Sequence, residues 1–555
     1  MYLRITKRRN KDGTEVRYYQ LAENEWNAER GHAVAKVIYN FGRADQVDLD
    51  DLRRLASSIL RVVGDGTVAG EGVTIRDAWP YGVVWVIEQI WQQLGVDEIL
   101  RRHAGKHKKT TVDQFARAIF AMVANRTHVP YSKLHCWEQW VRDDVFLPDA
   151  TALELHHLYL GMDFLENHKA EVEEAVYFKM ADLMNADVDL IFYDTTSLHF
   201  EVDEEDEARL QHRGQEYPPL RKRGYSKNGR GDAPQIVIGL AVTRDGLPVR
   251  SWVFSGETSD VTTIEKVKTD LRGWRLGRCV FVGDAGMNSE ENRRTLALGN
   301  GKYILASKMR AGDEVTKDVL ARAGRYQVVR DNLQVKEVIV GDGERRRRYV
   351  VCHNPVEETR QREHREKLVE QLEAELASME LSTTGHSKKA CALITSSRYG
   401  KYVRQTKGGL LRVDRTAVSE AARYDGKWVI TSNDDTLTAE DLALGYKQLL
   451  RVEQCWRQLK SGLRMRPVFH YRPWRLQAHV TIAVMSLLVE RIAEIRTGQT
   501  WRNLADQLDR IKVVEYEHNG ARIRQTSELD RELTALLTKL GVSMPPKLHA
   551  IAATA

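Results

Sequence analysis

Three acidic residues in this 555-residue chain form a pattern that could hold divalent metal ions. Asp194 closes the apolar run Leu190–Tyr193, Asp284 closes the run Arg278–Gly283, and Glu453 follows much later. Mg²⁺ and Mn²⁺ prefer hard oxygen ligands. Two such ions about 3.5–4 Å apart can activate the attacking oxygen and neutralise the leaving oxygen of a phosphodiester. The three acids therefore predict two-metal chemistry on phosphodiesters.

The segment around Glu453 predicts a long helix with a functional face. Thr438 with Asp441 is typical of a helix N-terminus, and the helical pattern continues to about residue 461. Tyr446, Glu453 and Lys460 are spaced seven apart. Seven residues at about 100° each make nearly two turns, so the three side chains would share one face. That face would offer a hydroxyl, a metal-ligand carboxylate and a cation for a phosphate.

The elements that must bring the acids together are five strands and two helices. Helices are expected near 260–272 and from Asn288, where Glu291 completes a capping-box pattern. The strands are expected at 190–194, 235–242, 248–254, 278–284 and 303–307. Three hairpin-like strands, a helix, a strand, a helix and a strand is the order of the ribonuclease H-like fold. The first and fourth strands of that fold are neighbours, which would place Asp194 beside Asp284.

An insertion separates this core from the predicted helix that carries Glu453. The expected fold class is therefore α/β, a ribonuclease H-like catalytic core with a mixed sheet flanked by helices, interrupted by a β-rich and helical insertion. An N-terminal β-hairpin plus helical accessory region precedes it. The predicted segments are a hairpin and helix at 1–66, a mostly helical DNA-binding region at 67–185, the catalytic domain at 186–308 and 427–493, the insertion at 309–426, and a C-terminal tail at 494–555.

Composition excludes several classes of protein. A hydrophobic fraction of 42% with 29% charged residues fits a globular chain and not a mainly disordered one. The net charge of +6 is weak evidence for a nucleic-acid partner. The five cysteines form no C-x-x-C pair, so neither a zinc ribbon nor a disulfide framework is supported. The apolar stretch Val480–Val489 is far shorter than the roughly 20 residues that a bilayer needs. With no apolar signal region at the N-terminus, we expect a cytoplasmic protein without a membrane partner.

Three motifs carry a resemblance to a known family. The segments 194–196 (Asp-Thr-Thr), 283–287 (Gly-Asp-Ala-Gly-Met) and 446–460 resemble the DDE transposases of bacterial insertion sequences. The match is to the branch with a Tyr-Arg-Glu-Lys signature and a β-rich insertion before the glutamate, and it covers roughly residues 185–490. The resemblance implies that Asp194, Asp284 and Glu453 are catalytic and bind two Mg²⁺ or Mn²⁺ ions. It also implies a bacterial cytoplasmic enzyme that acts on double-stranded DNA, both the inverted-repeat ends and the target, as at least a dimer.

One position departs from the signature of that branch. The arginine expected three residues after the tyrosine is Leu449 here, and Arg451 is the candidate substitute. Lys308 and Arg310 leave the fifth predicted strand near the active-site edge, and the insertion carries a run of four arginines. The predicted DNA contacts are Tyr446, Arg451, Lys460, Lys308, Arg310, Arg345, Arg346, Arg347 and Arg348.

Relatives with this insertion use an aromatic residue there to stack on a base flipped from the DNA end. The insertion at 309–426 lacks tryptophan, so Tyr326 or Tyr349 would have to serve. Stacking on any aromatic ring contributes about 1–3 kcal/mol per base, so tyrosine is physically acceptable.

The predicted function is a cut-and-paste transposase, with two alternatives. A catalytically silent DNA-binding regulator derived from such an enzyme would bind the element ends without nicking them. The intact triad argues against it. A ribonuclease H-like nuclease would cleave DNA without strand transfer.

Overall fold

The computed structural model of the chain describes residues 2–9, 15–27, 32–48, 51–52, 55–56, 59, 73–103, 109–186, 189–226, 229–274, 279–310, 314–380, 386–518 and 520–553. These residues form two compact units. The first unit contains Met1–Ala78, Val514–Thr526 and Lys547–Ala555. The second contains Trp79–Val513 and Ser527–Pro546.

The strands follow one another along the chain as β1 (Tyr2–Arg9), β2 (Glu15–Asn27), β3 (His32–Arg43), β4 (Thr74–Pro80), β5 (Leu190–His199), β6 (Leu210–His212), β7 (Gln215–Tyr217), β8 (Gln235–Val242), β9 (Pro248–Ser255), β10 (Val280–Gly283), β11 (Lys302–Ser307), β12 (Gln327–Arg330), β13 (Leu333–Val340), β14 (Arg347–His353), β15 (Val403–Gln405), β16 (Leu411–Val413), β17 (Lys427–Ser432), β18 (Lys512–His518), β19 (Ala521–Thr526) and β20 (Leu548–Ala553).

The α-helices are α1 (Gly82–Gln93), α2 (Val96–Arg102), α3 (Lys109–His128), α4 (Lys133–His135), α5 (Leu155–Asn167), α6 (Lys169–Met184), α7 (Asp260–Leu271), α8 (Glu290–Ala297), α9 (Pro355–Glu380), α10 (His386–Thr395), α11 (Arg415–Ala422), α12 (Ala439–Lys447), α13 (Leu450–Arg457), α14 (Pro473–Thr497), α15 (Trp501–Leu508) and α16 (Arg531–Leu540).

The first unit contains an N-terminal sheet of three antiparallel strands in the order β1-β2-β3. The predicted hairpin corresponds to the first two strands, β1 and β2. The third strand, β3, was not predicted from the sequence. The helix expected at 47–63 falls mostly outside the described residues. Strands from both ends of the chain form a second sheet in the order β20-β19-β18-β4. The C-terminal segment is therefore not a separate tail.

The second unit is built on a nine-stranded mixed sheet in the order β12-β13-β14-β17-β11-β10-β5-β8-β9. The strand β10 is parallel to both β5 and β11, whereas β8 and β9 are antiparallel neighbours on the other side. The predicted succession β5, β8, β9, α7, β10, α8, β11 is confirmed. The strands β12, β13 and β14, which belong to the predicted insertion, extend the same sheet through β17.

The helices before the sheet share its hydrophobic core. Trp91 of α1, Phe120 of α3 and Met162 of α5 lie in one buried cluster with Ile191 of β5 and Ile482 of α14. The helical region and the sheet are therefore one packed body, with no boundary near residue 185.

The helix α14 crosses the middle of this core. It begins with Pro473 at its first position and ends at Gly498, whose φ of 72° is left-handed. Proline suits the first turn because no intrahelical N–H is lost there, and glycine takes a positive φ without strain. Most side chains in between are buried, since α14 packs both on the sheet and on the N-terminal helices. No helix in the described ranges is long and apolar enough to span a membrane.

The single long helix predicted from residue 438 to about 461 is wrong. The capping box of Thr438 and Asp441 is observed, and α12 begins there. Amide–carbonyl bonds to the third preceding residue then tighten the chain at Gln448 and Leu449. A new helix, α13, starts at Leu450 and runs into the π-helical turn Gln458–Gly462. The segment is thus two helices and a wide turn.

The helix α8 begins one residue later than predicted. Ser289, and not Asn288, is its N-cap, and the Ser289 hydroxyl accepts the N–H of Asn292. The predicted capping box of Asn288 with Glu291 is therefore wrong. Serine is as good a cap as asparagine, so the sequence did not discriminate between the neighbouring positions.

Candidate active site

Asp194 and Asp284 follow paired residues on two adjacent parallel strands. Tyr193 of β5 is the register partner of Gly283 of β10. Asp284 keeps an extended backbone beyond the end of β10, with φ −76° and ψ 167°. Each acid is therefore the next residue after a register pair, and the two lie side by side as predicted.

Both acids belong to the same face of the sheet. Phe192 of β5 and Val282 of β10 are packed in one buried cluster with Val452 of α13. Alternate residues of a strand point to the same face, and Asp194 and Asp284 each lie two positions further along. The two carboxylates therefore lie on the face that α13 covers.

The strand β5 does not end at its acid. It continues through Asp194 to His199, where β8 pairs with it, and Asp194 lies opposite Leu240. The expectation that the strand stops at Asp194 was wrong, because β8 pairs with β5 as an antiparallel partner up to His199. Asp284, in contrast, does follow the end of its strand, and its carboxylate accepts the N–H of Ala285 at 2.6 Å.

Glu453 is in the first turn of α13, which packs against β5 and β8. Its neighbours Val452, Cys455 and Trp456 are buried and fix this helix on the sheet. Glu453 itself is exposed. The third acid thus comes from a helix on the same face as the two aspartates.

The pKa of Tyr446 indicates which acids lie near its hydroxyl. Burial raises the pKa of Tyr446, and the negative charges of Asp284, Glu453 and Asp194 raise it further. A charge acts on a titrating group only at short range in a protein. The hydroxyl therefore lies within electrostatic range of all three carboxylates. Among the described residues, no three His, Cys, Asp or Glu side chains form a group tight enough to hold a metal ion.

The break between α12 and α13 removes the basis of the predicted common face of Tyr446, Glu453 and Lys460. The predicted common face assumed an unbroken helix at 100° per residue. Backbone bonds such as Leu449 N–H to the Tyr446 carbonyl, at 2.9 Å, turn the chain more tightly. Lys460 lies beyond this break, in the π-helical turn, where the residue spacing is wider than in an α-helix.

A family model described as the transposase DDE domain matches residues 194–489, more than half of the chain. The chain belongs to the DDE transposase family. The matched region begins at Asp194 and contains Asp284 and Glu453. A second model, described as the N-terminal domain of IS1634 family transposases, matches residues 3–69 of this transposase. Together they identify a DDE transposase of an insertion sequence.

Comparison with other proteins adds little to the family assignment. No curated protein matches this transposase. A solved structure, a piggyBac transposase synaptic complex with hairpin DNA, is similar over 77% of this chain and 79% of that chain, at 9% sequence identity and a TM-score of 0.37. A TM-score at this level does not establish a common fold.

The candidate DNA contacts near the triad of the transposase are mostly exposed. Arg451 is exposed on α13 and donates to the Gln454 side chain at 3.1 Å. Lys308 is exposed just after β11, and the exposed Arg310 lies over the ring of Tyr424 at 5.2 Å.

The arginine run of the insertion is partly built into the sheet. Arg345 is exposed. Arg346 pairs with Asp435, and Arg347 pairs with Glu314. Arg348 is 6% exposed; it binds Glu337 and donates to the carbonyls of Asp434 and Leu437. Arg348 of β14 is thus a buried side chain that donates hydrogen bonds to backbone carbonyls.

The two tyrosines considered for base stacking differ in accessibility. Tyr349 is 2% exposed, and its hydroxyl donates to Glu314 at 2.9 Å. Tyr326 is half-buried, with the Lys336 ammonium 5.4 Å from its ring centroid. Of the two, only Tyr326 offers ring surface to a ligand.

Asp260 is a residue near the site that sequence reasoning missed. It is the first residue of α7, and its carboxylate accepts a hydrogen bond from the hydroxyl of Thr195, the neighbour of Asp194. In the sequence it resembles any acid in the first turn of a helix, where negative charge is commonly favourable. Only the packing of α7 on β5 distinguishes it.

Proposed function

We propose that this transposase binds the terminal inverted repeats of an insertion sequence and catalyses metal-dependent DNA cleavage and strand transfer. The observation that carries the proposal is that Asp194 and Asp284 follow register-paired residues of β5 and β10, on the sheet face covered by the helix of Glu453. Three carboxylates from two adjacent strands and one covering helix are a hard oxygen donor set that fits Mg²⁺ or Mn²⁺.

The carboxylates of Asp194, Asp284 and Glu453 would hold two divalent ions. Bound ions would supply activation of the attacking oxygen and neutralisation of the leaving oxygen. The exposure of Asp284 and Glu453 leaves the site open to a DNA strand. The Tyr446 phenol, whose pKa is raised by burial and by the nearby carboxylates, is protonated at neutral pH and can donate a hydrogen bond to a phosphate oxygen.

The proposal includes a ribonuclease H-like core. Support comes from the strand order β9-β8-β5-β10-β11, in which β8 runs antiparallel to its neighbours β5 and β9 and the other four strands run in one direction. That order brings the first and fourth core strands together, as the two-aspartate site requires.

Several cations would position the DNA. Arg451 precedes the catalytic glutamate and Lys460 follows it, and Lys308 and Arg310 leave β11 on the insertion side. Arg345 is exposed at the start of the arginine run. Phosphate contacts of this kind set affinity and register without reading the sequence. The N-terminal residues 1–183 would supply most of the end recognition, and the pairing of two ends requires at least a dimer.

The direct test is cleavage of a labelled element end by the purified full chain with Mg²⁺. The Glu453→Gln variant keeps the size of the side chain but removes the charge, and it is expected to lose cleavage by at least a hundredfold. Glu440→Gln makes the same change at an exposed acid of α12 and is expected to cleave like the parent. If Glu453→Gln cleaves as well as the parent, the triad assignment is wrong.

The same preparation distinguishes the two alternatives. Binding of the inverted repeat without any metal-dependent nicking identifies a silent regulator. A third assay supplies precut ends and a plasmid target. Cleavage without a joined product in that assay identifies a nuclease that lacks strand transfer.

A further inference from the structure

A hydrogen-bonded connection lies behind the sheet, on the face opposite the three carboxylates. It starts at Thr195, which is 1% exposed and follows Asp194 on β5. The alternation of the strand puts Thr195 on the face covered by α7, and its hydroxyl donates to the carboxylate of Asp260. The backbone that carries Asp194 is thus tied to the first residue of α7.

The same aspartate lies against the turn that follows Asp284. A Cβ atom placed on Gly286 would be 3.3 Å from Oδ2 of Asp260. The glycine lets the turn approach the carboxylate closely, because a side chain would occupy that space. Asp260 therefore lies against both acid-bearing segments, beside Thr195 within β5 and beside the turn at Gly286 after β10.

Asn292 of α8 closes the connection. It is 5% exposed, and its side-chain amide donates to the carbonyls of Val261 at 2.9 Å and Met287 at 2.8 Å. Val261 follows Asp260 in α7, and Met287 ends the short turn after Asp284. One buried amide thus fixes the start of α7 to the turn that positions the second acid.

We propose that Thr195, Asp260 and Asn292 form a positioning bracket that sets the separation between Asp194 and Asp284. The bracket does not touch a metal ion or DNA; it holds the backbones of the two acids from the rear of the sheet. Groups that orient metal ligands from outside commonly change metal affinity or activity 10–100-fold when removed. The inference rests on the proposed function, since it takes the two aspartates as metal ligands.

The test measures Mn²⁺ binding to the full-length protein by calorimetry, together with its thermal unfolding. Thr195→Val removes the hydroxyl at constant shape and is expected to weaken Mn²⁺ binding about tenfold or more. Thr195→Ser keeps the donor and is expected to bind like the parent. Asp260→Ala should weaken binding as Thr195→Val does, and the double variant should be no weaker than either single one, because both remove the same bond.

Ser197→Ala is the matched control, because Ser197 is buried on the same face of β5 but lies further from the acid. All binding is measured well below the unfolding temperature of every variant. The bracket is overturned if Thr195→Val binds Mn²⁺ like the parent, or if Ser197→Ala weakens binding equally.

Asp194→Asn and Asp284→Asn separate this inference from the proposed function. Loss of Mn²⁺ binding in both, with unchanged binding in Thr195→Val, overturns the bracket alone. Unchanged Mn²⁺ binding in both aspartate variants overturns the metal-ligand assignment and the bracket with it.

Discussion

At the residue scale, the candidate site combines a tyrosine hydroxyl with the electrostatic influence of three carboxylates. Tyr446 lies close enough to Asp194, Asp284 and Glu453 for their charges to raise its pKa. A hydroxyl in this position can donate a hydrogen bond, whereas a phenolate would repel both the acids and a phosphate. Its contribution can be measured separately from that of the acids.

We predict that Tyr446→Phe cleaves DNA about tenfold more slowly at saturating Mg²⁺, because one hydrogen bond contributes about 0.5–1.5 kcal/mol. Single-turnover cleavage rates provide the measurement. Tyr424→Phe, which changes a tyrosine of the insertion, serves as the control. An unchanged rate in Tyr446→Phe would leave the hydroxyl without a role in the reaction.

A buried acid outside the site gives a pH-dependent prediction. Burial raises the pKa of Glu166 to about 8, and Oε2 of this side chain has no hydrogen-bond partner among the described residues. In the unfolded chain the Glu166 carboxyl ionises near pH 4.5, whereas in the folded protein it keeps its proton until about pH 8. The unfolded state therefore loses its proton first, and Glu166 makes folding less favourable as the pH rises through this window.

We predict that Glu166→Gln, which mimics the protonated acid, unfolds like the parent near pH 4.5 and becomes more stable than the parent as the pH rises to 8. The advantage should grow by roughly 1 kcal/mol per pH unit. Urea unfolding of both proteins at several pH values measures it. A difference that is independent of pH would show that Glu166 ionises normally.

At the element scale, β14 places members of the arginine run 345–348 in different environments. Arg345 precedes the strand and is exposed, whereas Arg348 within it is buried and pairs with Glu337. The guanidinium of Arg348 also holds the carbonyls of Asp434 and Leu437, just before α12. This arginine therefore connects the insertion strands to the segment that leads to Tyr446 and Glu453.

We predict that Arg348→Ala lowers the free energy of unfolding by about 3 kcal/mol, because it leaves Glu337 and two carbonyls without their partner. Arg345→Ala is expected to change it by less than about 0.5 kcal/mol, as surface substitutions usually do. Denaturant unfolding of the two variants gives the comparison. Equal decreases in the free energy of unfolding would contradict the different structural roles of Arg345 and Arg348.

At the scale of the whole molecule, charge is the property that should govern encounter with DNA. The net charge is only +6, so the proposed DNA contacts must come from local cations such as Lys308 and Arg451. Each phosphate contact releases counterions and makes the binding constant fall with salt.

We predict that Lys308→Ala weakens binding to an element end and lowers the slope of log affinity against log salt by about 1. Lys539→Ala removes an exposed lysine from α16 and is the control. Fluorescence anisotropy at several salt concentrations measures both. An unchanged slope in Lys308→Ala would remove this residue from the set of phosphate contacts.

Much of the sheet that carries the two aspartates could be predicted, because short sequence segments indicate where its strands begin and end. Apolar runs and turn residues indicated β5, β8, β9, β10 and β11, and the capping pair Thr438 and Asp441 indicated the start of α12. The two aspartates became neighbours once the strand order was assumed. The break at Leu449 was not predictable, because no proline or glycine stands there and the tightened turn depends on how α12 and α13 pack on the sheet.

By itself, the sequence indicated which acids are candidates for one site, since the residue types, their strand and helix settings and the family motifs lie in short segments of consecutive residues. Tertiary structure alone decided that the insertion strands extend the core sheet, that Arg348 is interior, and that Asp260 lies behind Asp194. Those facts depend on contacts between residues far apart in the chain. Local sequence patterns do not encode such contacts, because burial and strand pairing depend on which elements pack together.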